Sequence, residues 1–298
     1  MPAVLLLFVC LTLGFLVARV AHPPPALAHS LNWWVLNIAL SALVLNLIPK
    51  LQFDWHLWFL VASMWFVFLG AWGCFALLGR ALHWSRARIG ALTLMSGLGN
   101  TSFIGFPMIE MLRGEDGLKY ALIADQAGCF VALAVGGTIV AAVYSGAKVQ
   151  PALIVKKALL FPPFMALFVG VAVGLLGGWP QTVDTILARL GLTLVPIALF
   201  SAGLQFQLHL GRSQLAAIGL GLSWKLILAP LIVYTAGVAL GVGGMVLTIA
   251  TLESAMAPMV SAAILAEQNN LEPTLASTIL GVGILLAFVT VPIANALL

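Results

Sequence analysis

Long apolar segments that carry almost no charge constrain this chain more than any other feature of its sequence. Ten segments each have about the 20 residues that a helix needs to cross the hydrocarbon core of a bilayer. They span residues 3–20, 32–49, 56–79, 88–112, 117–144, 151–177, 184–207, 214–241, 245–268 and 273–297. Only 7% of the 298 residues are charged, compared with roughly 25% in soluble domains. The sequence therefore predicts an all-α polytopic membrane protein with ten transmembrane helices.

The connections between these segments are short and leave no room for a soluble domain. The sequence contains no P-loop, H-E-x-x-H or G-x-S-x-G motif, so neither a nucleotide-driven pump nor a hydrolase of these classes is indicated. The net charge of +4 comes from basic residues scattered near the ends of apolar runs, and this pattern is not that of a nucleic-acid-binding patch. We therefore expect a protein that is not an enzyme, binds neither nucleic acid nor a structural metal, and has the lipid bilayer as its main partner.

The basic residues predict the orientation of the helices, because cytoplasmic loops carry an excess of Lys and Arg. With the N-terminus outside, the basic residues on the cytoplasmic side are Arg19, Arg80, Arg86, Arg88, Lys148, Lys156, Lys157 and Arg212. Those on the outer side are Lys50, Arg113, Lys119 and Arg189. The excess on the first side predicts that both termini are outside, which is periplasmic in the bacterial inner membrane that we expect for this chain.

Prolines recur at similar offsets in the two halves of the chain. Pro2 and Pro151 begin the first and sixth segments, and Pro107 and Pro258 lie within the fourth and ninth. Five helices per half is an odd number, so the second half must be inverted in the membrane relative to the first. Inverted repeats with substrate sites on interrupted helices at mid-membrane are typical of secondary transporters.

The fourth and ninth segments combine proline with small polar or acidic residues. These residues are Asn100, Thr101, Ser102 and Pro107 in the fourth segment and Glu253, Ser254 and Pro258 in the ninth. Proline removes a helical hydrogen bond and clashes with the preceding turn, and the freed backbone groups need partners that lipid does not offer. Exposed helix ends at such breaks attract carboxylates or cations. We therefore predict two broken helices that cross near the bilayer midplane and bind substrate there; the alternative is a proline kink without a ligand.

Three ionisable residues lie deep inside the apolar segments, away from the segment ends, where each costs about 2.5–3.5 kcal/mol to insert. Asp125, next to Gln126, is either a proton- or cation-binding group at the crossing or an interfacial acid paired with a loop residue. Glu253 is either a cation ligand or protonation switch, or a protonated acid that hydrogen-bonds a freed backbone group or pairs with Lys225. Lys225 is either a charge partner near the site or a side chain that reaches the cytoplasmic surface.

Several motifs resemble those of the auxin efflux carrier family of transporters. The most specific is Gly99-Asn100-Thr101-Ser102-Phe103-Ile104-Gly105-Phe106-Pro107 in the fourth segment. Supporting stretches lie at residues 31–41, 195–203, 225–230 and 257–267. The sequence also departs from the family pattern at two positions. Ser41 stands where the family often has proline, and Glu253 stands where many members have a neutral residue.

The resemblance implies two inverted five-helix repeats, residues 1–145 and 151–298, with the fold of bile-acid sodium symporters and sodium/proton antiporters. It implies a panel (scaffold) subdomain made of helices 1, 2, 6 and 7 and a core (transport) subdomain made of helices 3–5 and 8–10. It also implies a small organic anion as cargo and a homodimer formed through the panel. The residues that it places at the crossover are Asn100, Thr101, Pro107 and Pro258.

These features together predict a secondary carrier of a small organic anion, such as a carboxylate or an auxin-like acid, that works by alternating access. An alternative keeps the fold but makes the chain a cation/proton antiporter or sodium-coupled symporter that uses Asp125 and Glu253, with sodium held at Glu253 and Asn100. A third hypothesis is a sensor or channel-like protein without alternating access. The expected coupling ion is sodium or a proton, and no other cofactor is expected.

Overall fold

The computed structural model of the chain describes residues 2–21, 23–24, 26–51, 54–146, 159–205 and 214–298. These residues are mostly helical, and within these ranges the structure contains no β-strand, only one isolated pair of bridged residues. The helices are α1 (Pro2–Val20), α2 (Leu27–Lys50), α3 (Trp55–Ala81), α4 (Arg86–Gly97), α5 (Thr101–Ser145), α6 (Pro162–Leu175), α7 (Gln181–Leu204), α8 (Leu215–Ala239), α9 (Gly244–Ser254), α10 (Val260–Gln268) and α11 (Pro273–Leu297). Pro151, predicted to begin the sixth segment, lies outside the described residues.

Six helices of the described chain are long and apolar enough to cross a bilayer: α2, α3, α5, α7, α8 and α11. With 45 residues, α5 would be about 68 Å long as one straight helix, which is about twice a bilayer core. Its backbone is interrupted at Gly114, where φ is 68° and ψ is −168°. The chain is therefore an all-helical, multi-pass integral membrane protein, as the sequence predicts, while the arrangement of ten helices in inverted repeats stays a prediction.

The chain divides into two compact units, and it enters and leaves each of them several times. Unit 1 comprises Met1–Asp54, Ser102–Leu122 and Leu159–Phe206, and unit 2 comprises Trp55–Thr101, Ile123–Ala158 and Gln207–Leu298. Unit 1 thus holds α1, α2, α6, α7 and the first half of α5. Unit 2 holds α3, α4, the second half of α5 and α8 to α11.

Close backbone contact between α1 and α7 organises unit 1. A Cβ atom on Gly14 would lie 2.1 Å from the carbonyl oxygen of Phe200, and one on Gly203 would lie 2.2 Å from that of Leu11. Helices in lipid associate through such small residues, which let their backbones approach. Only glycine therefore fits at these two positions of the helix pair.

One end of unit 2 is held by polar contacts between three loops. Nε of Arg88 lies 3.1 Å from both carboxylate oxygens of Glu272. The hydroxyl of Ser85 caps α4 by accepting the amide of Arg88, and it donates to Glu272 over 3.2 Å. Ser145 contacts Asn269 at the same end. These contacts place the three segments at one end of unit 2, while the predicted assignment of that end to the cytoplasmic side stays a prediction.

Candidate functional site

Two short non-helical segments meet in unit 2. The backbone leaves the α-helical conformation between α4 and α5 and again between α9 and α10. The amide of Asn100 donates to the carbonyl oxygen of Ala257 over 2.7 Å, and the amide of Met259 donates to that of Leu98 over 3.1 Å. Each break thus provides hydrogen-bond partners for the backbone of the other break, which lipid could not provide. We call this antiparallel pairing the crossing.

Gly99 and Pro258 lie opposite each other at the centre of the crossing. A Cβ atom on Gly99 would lie 2.8 Å from Nζ of Lys225 and 3.4 Å from the carbonyl oxygen of Glu253. Pro258 has no amide hydrogen, so its position at a break leaves no donor without a partner. The small residue at 99 therefore allows a charged side chain to reach the backbone of the crossing.

Four helix ends come together at the crossing. Helices α4 and α9 end there, so their unpaired carbonyl groups place partial negative charge at it. Helices α5 and α10 begin there, so their unpaired amides place partial positive charge at it. The crossing therefore offers separate places for a cation and for an anion.

Lys225 lies at a negative helix end. Its side chain belongs to the π-helical turn Trp224–Leu228 of α8 and is 1% exposed. Its ammonium group donates over 3.0 Å to the carbonyl oxygen of Ser254, the last residue of α9. The interpretation in which this side chain reaches the cytoplasmic surface is therefore wrong, because the ammonium group ends inside unit 2.

Asp125 lies at a positive helix end. The residue is 1% exposed, and the hydroxyl of Thr101, the first residue of α5, donates to one of its carboxylate oxygens. The side-chain amide of Gln126 donates to the other oxygen. A carboxylate that accepts two hydrogen bonds beside a helix N-terminus is well accommodated. Asp125 is thus a buried acid of the crossing and not an interfacial one.

Of the three charged residues, Glu253 has the fewest hydrogen-bond partners. It is 0% exposed, and neither carboxylate oxygen has a hydrogen-bond partner among the described residues. The charges that act on it are those of Asp125 and Lys225. An ionised carboxylate in such surroundings is costly unless it is paired, so this side chain is suited to take up a proton or a ligand. The interpretation of Glu253 as a donor to a freed backbone group does not agree with this geometry.

The remaining predicted site residues fall into two groups. Asn100, Ser254 and Pro258 are buried at the crossing in unit 2, where the hydroxyl of Ser254 donates to the carbonyl of Thr251 over 2.7 Å. Ser102 and Pro107 are buried too, but they belong to unit 1.

The expectation that Pro107 breaks the fourth segment at the crossing is wrong. The residue opposite Pro258 is Gly99, eight positions earlier, and Pro107 lies in helical structure. The π-helical turn Thr101–Gly105 precedes this proline. A wider turn of this kind accommodates a proline ring without ending the helix. Matching Pro107 with Pro258 therefore does not superpose the two breaks.

Pro107 instead lines a cavity in unit 1. This cavity has a volume of about 410 Å³ and also contacts Lys50, Glu110 and Glu115. The ammonium group of Lys50 is paired with Asp184 over 2.9 Å. The cavity is within the usual size range of small-molecule sites, and its walls are otherwise mainly apolar.

Sequence reasoning did not assign Cys129 to the crossing. Its Sγ lies 3.3 Å from the carbonyl oxygen of Gly99, which satisfies a backbone acceptor of the break. The signal for it was its position four residues after Asp125, because residues four apart share one face of a helix. Among the described residues no group of three or more His, Cys, Asp or Glu side chains is arranged to hold a metal ion.

Comparison with known proteins gives matches along most of the chain. The sequence profile of a family described as membrane transport protein matches residues 1–294. An uncharacterized transporter of Methanothermobacter thermautotrophicus is 28% identical over 207 residues, which are 70% of this chain and 67% of that protein. An uncharacterized transporter of Methanocaldococcus jannaschii is 25% identical over 180 residues, which are 57% of this chain and 55% of that protein.

The family match includes both breaks and every residue of the crossing. The names of the relatives and of the family indicate a transporter and not an enzyme. The chain therefore belongs to the membrane transport protein family, which is the auxin efflux carrier family that its motifs resemble.

Proposed function

We propose that this protein is a secondary active transporter of a small organic anion, such as a carboxylate or an auxin-like acid. Its transport site is the crossing in unit 2, and the site is exposed to each side of the membrane in turn. The observation that carries the proposal is the grouping of Asp125, Lys225 and Glu253, all buried, around two paired helix breaks. Burying three charged groups in a membrane protein costs considerable free energy. A role in transport would explain why the protein contains them.

The anion is attracted by the positive parts of the crossing. The N-termini of α5 and α10 offer backbone amides without helical partners, and Lys225 adds a full positive charge nearby. Asn100 and Thr101 lie at the same place and supply polar side chains. This combination favours a carboxylate as the group that is recognised.

Glu253 makes anion binding depend on a proton. With Asp125 and Glu253 ionised and Lys225 charged, the net charge of the three groups is −1; with Glu253 protonated it is zero. A like charge roughly 6 Å from an anion costs about 3 kcal/mol at an effective dielectric constant of about 20, which is roughly a 100-fold loss of affinity. The anion should therefore bind to the form in which Glu253 carries a proton, and the two should cross the membrane together.

The wider arrangement belongs to the same proposal. Ten helices in two inverted repeats would place both termini on one side, which the basic residues predict to be the outside. The panel would also form the homodimer, and the core would carry the crossing. Support comes from the composition of the units, since unit 1 holds α1, α2, α6 and α7, and unit 2 holds α3, α4 and α8 to α11. The units depart from the panel and core scheme at α5, because its first half belongs to unit 1 and its second half to unit 2.

Uptake into proteoliposomes tests the proposal. Radiolabelled malate, succinate and indole-3-acetate are offered with and without an inward proton gradient, and at least one should accumulate when the gradient is present. Glu253→Gln mimics the protonated acid, so it should still exchange labelled for unlabelled anion but should no longer accumulate it. The matched control Glu267→Gln changes an exposed acid of unit 2 and should behave as the wild type. Accumulation by Glu253→Gln that equals that of the wild type would contradict the coupling role.

A cation/proton antiporter is the second candidate, because two buried acids share the crossing. In that case the cargo is a monovalent cation that alternates with protons on Asp125 and Glu253. Its signature is a pH-dependent sodium flux that requires no organic anion and is lost in Glu253→Gln. The same vesicles distinguish the two functions, since the carrier of an organic anion takes up its cargo when sodium is replaced by choline.

A further inference from the structure

We propose that Lys225 is a built-in cation, whose ammonium group takes the place that a bound sodium ion would otherwise occupy at the crossing. The inference rests on the proposed function in treating the crossing as the transport site, and it names the coupling ion as a proton. It is tested through the binding of cations to the purified protein, which requires no transported anion.

The ammonium group donates to a backbone oxygen at the end of a helix, where a bound cation would also be favoured. Nζ of Lys225 lies 3.0 Å from the carbonyl oxygen of Ser254 and lies next to Gly99. It is therefore close to the ends of both α4 and α9, where the unpaired carbonyl groups of the two helices point. Carbonyl and carboxylate oxygens are the ligands that hard cations such as sodium use in proteins.

The surrounding charges strengthen this interpretation. Glu253 of α9 interacts electrostatically with Lys225 and with Asp125 of α5. Without the ammonium group, two acids and the negative ends of α4 and α9 would remain, and among the described residues of the crossing only the N-termini of α5 and α10 would offset them. The lysine is covalently attached, so unlike sodium it cannot exchange with either side of the membrane. The charge that can change at the crossing is then a proton on Glu253.

If Lys225 is a resident cation, a variant that lacks its side chain should gain a cation-binding site. Lys225→Ala deletes both the charge and the volume of a fully buried side chain, leaving a negatively charged cavity. That cavity should bind sodium or methylammonium, which would restore the missing cation. The wild type should bind neither at the crossing, because its own ammonium group fills the position.

Thermal unfolding of the purified protein in detergent tests the proposal. The melting temperature is measured in sodium chloride, methylammonium chloride and choline chloride at equal concentrations. We expect the wild type to show no difference between the salts. Lys225→Ala should melt at a lower temperature in choline and recover on the order of 5 °C in sodium or methylammonium, as expected for a saturating ligand. Lys119→Ala, which removes a surface partner of Asp116, should give no salt-specific recovery.

Two results would overturn the proposal. One is a sodium-specific rise in the melting temperature of the wild type, which shows an open sodium site and requires no variant. The other is a Lys225→Ala protein that is equally stable in all three salts. If that variant does not fold, Lys225→Ala combined with Glu253→Gln removes opposite charges together, and it should fold without a response to sodium. None of these measurements involves transport, so a failure to find the organic anion leaves their outcome unaffected.

Discussion

Asp125, Lys225 and Glu253 lie in surroundings that penalise charge, yet they differ in the partners available to them. Asp125 accepts hydrogen bonds from Thr101 and Gln126, and Lys225 donates to a backbone carbonyl. Glu253 has no hydrogen-bond partner for its carboxylate among the described residues. Sequence alone identified all three as unusual, because ionisable residues are rare in apolar segments. It could not distinguish their roles, since the partners come from segments far apart in the chain.

The two acids should respond in opposite ways to loss of charge. Asp125→Asn replaces an acceptor of two hydrogen bonds and should destabilise the protein by about 1–3 kcal/mol. Glu253→Gln removes a buried carboxylate that has no hydrogen bond, so its stability should equal or exceed that of the wild type. Chemical denaturation in mild detergent measures both. A Glu253→Gln protein that is less stable than Asp125→Asn would show that Glu253 has a structural role.

The absence of a side chain at residue 99 should matter for stability as much as the buried charges do. In Gly99→Ala the new Cβ atom displaces the ammonium group of Lys225, which weakens its bond to Ser254. Overpacking of this kind costs about 1–3 kcal/mol. Gly73→Ala is the matched control in unit 2, because nothing lies within 4 Å of its new Cβ atom. The melting temperature should fall for the first variant only, and equal values for the two would contradict the close approach.

Among the elements, the apolar helices were predictable and the exact place of the first break was not. The segment predicted at 56–79 is the helix Trp55–Ala81, and that predicted at 273–297 is Pro273–Leu297. Hydropathy suffices for these because each helix satisfies its own backbone. The first break falls at Leu98–Asn100 and not at Pro107, since its position depends on pairing with the segment around Pro258. That pairing is a tertiary interaction, and the position of a proline does not reveal its register.

Wide turns explain how some helices tolerate proline. Pro107 follows the π-helical turn Thr101–Gly105 by two residues, and Pro230 follows Trp224–Leu228 by the same spacing. The turn Val35–Ala39 of α2 precedes Ser41 in the same way. The hydroxyl of Ser41 has no hydrogen-bond partner among the described residues. The backbone of α2 is thus suited to a proline at residue 41.

Ser41→Pro should therefore be far less damaging than proline elsewhere in a helix. Proline in a regular helix interior costs about 3 kcal/mol or more, and we expect less than about 1 kcal/mol here. Ser63→Pro in the regular part of α3 is the control and should show the full loss. Melting temperatures of the two purified variants make the comparison. Equal losses would show that the turn in α2 does not accommodate proline.

At the scale of the whole molecule, transport requires that one site be open to each side of the membrane in turn. The family and the multi-pass helical structure make the protein a transporter. In the proposed mechanism the crossing in unit 2 is the site that opens to each side in turn. Sequence and fold do not identify the cargo, because one fold hosts many functions and the choice of cargo depends on the side chains of the site.

Counterflow in proteoliposomes tests most directly whether the crossing is the site of an alternating carrier. Vesicles loaded with the unlabelled carboxylate that gave uptake should take up its labelled form faster than empty vesicles do. Asn100→Ala, at the crossing, should abolish this acceleration, whereas Asn37→Ala, whose amide donates only locally to the carbonyl of Trp33 in α2, should preserve it. Labelled anion that enters loaded and empty vesicles equally fast, or counterflow that survives in Asn100→Ala, would contradict this account of the protein.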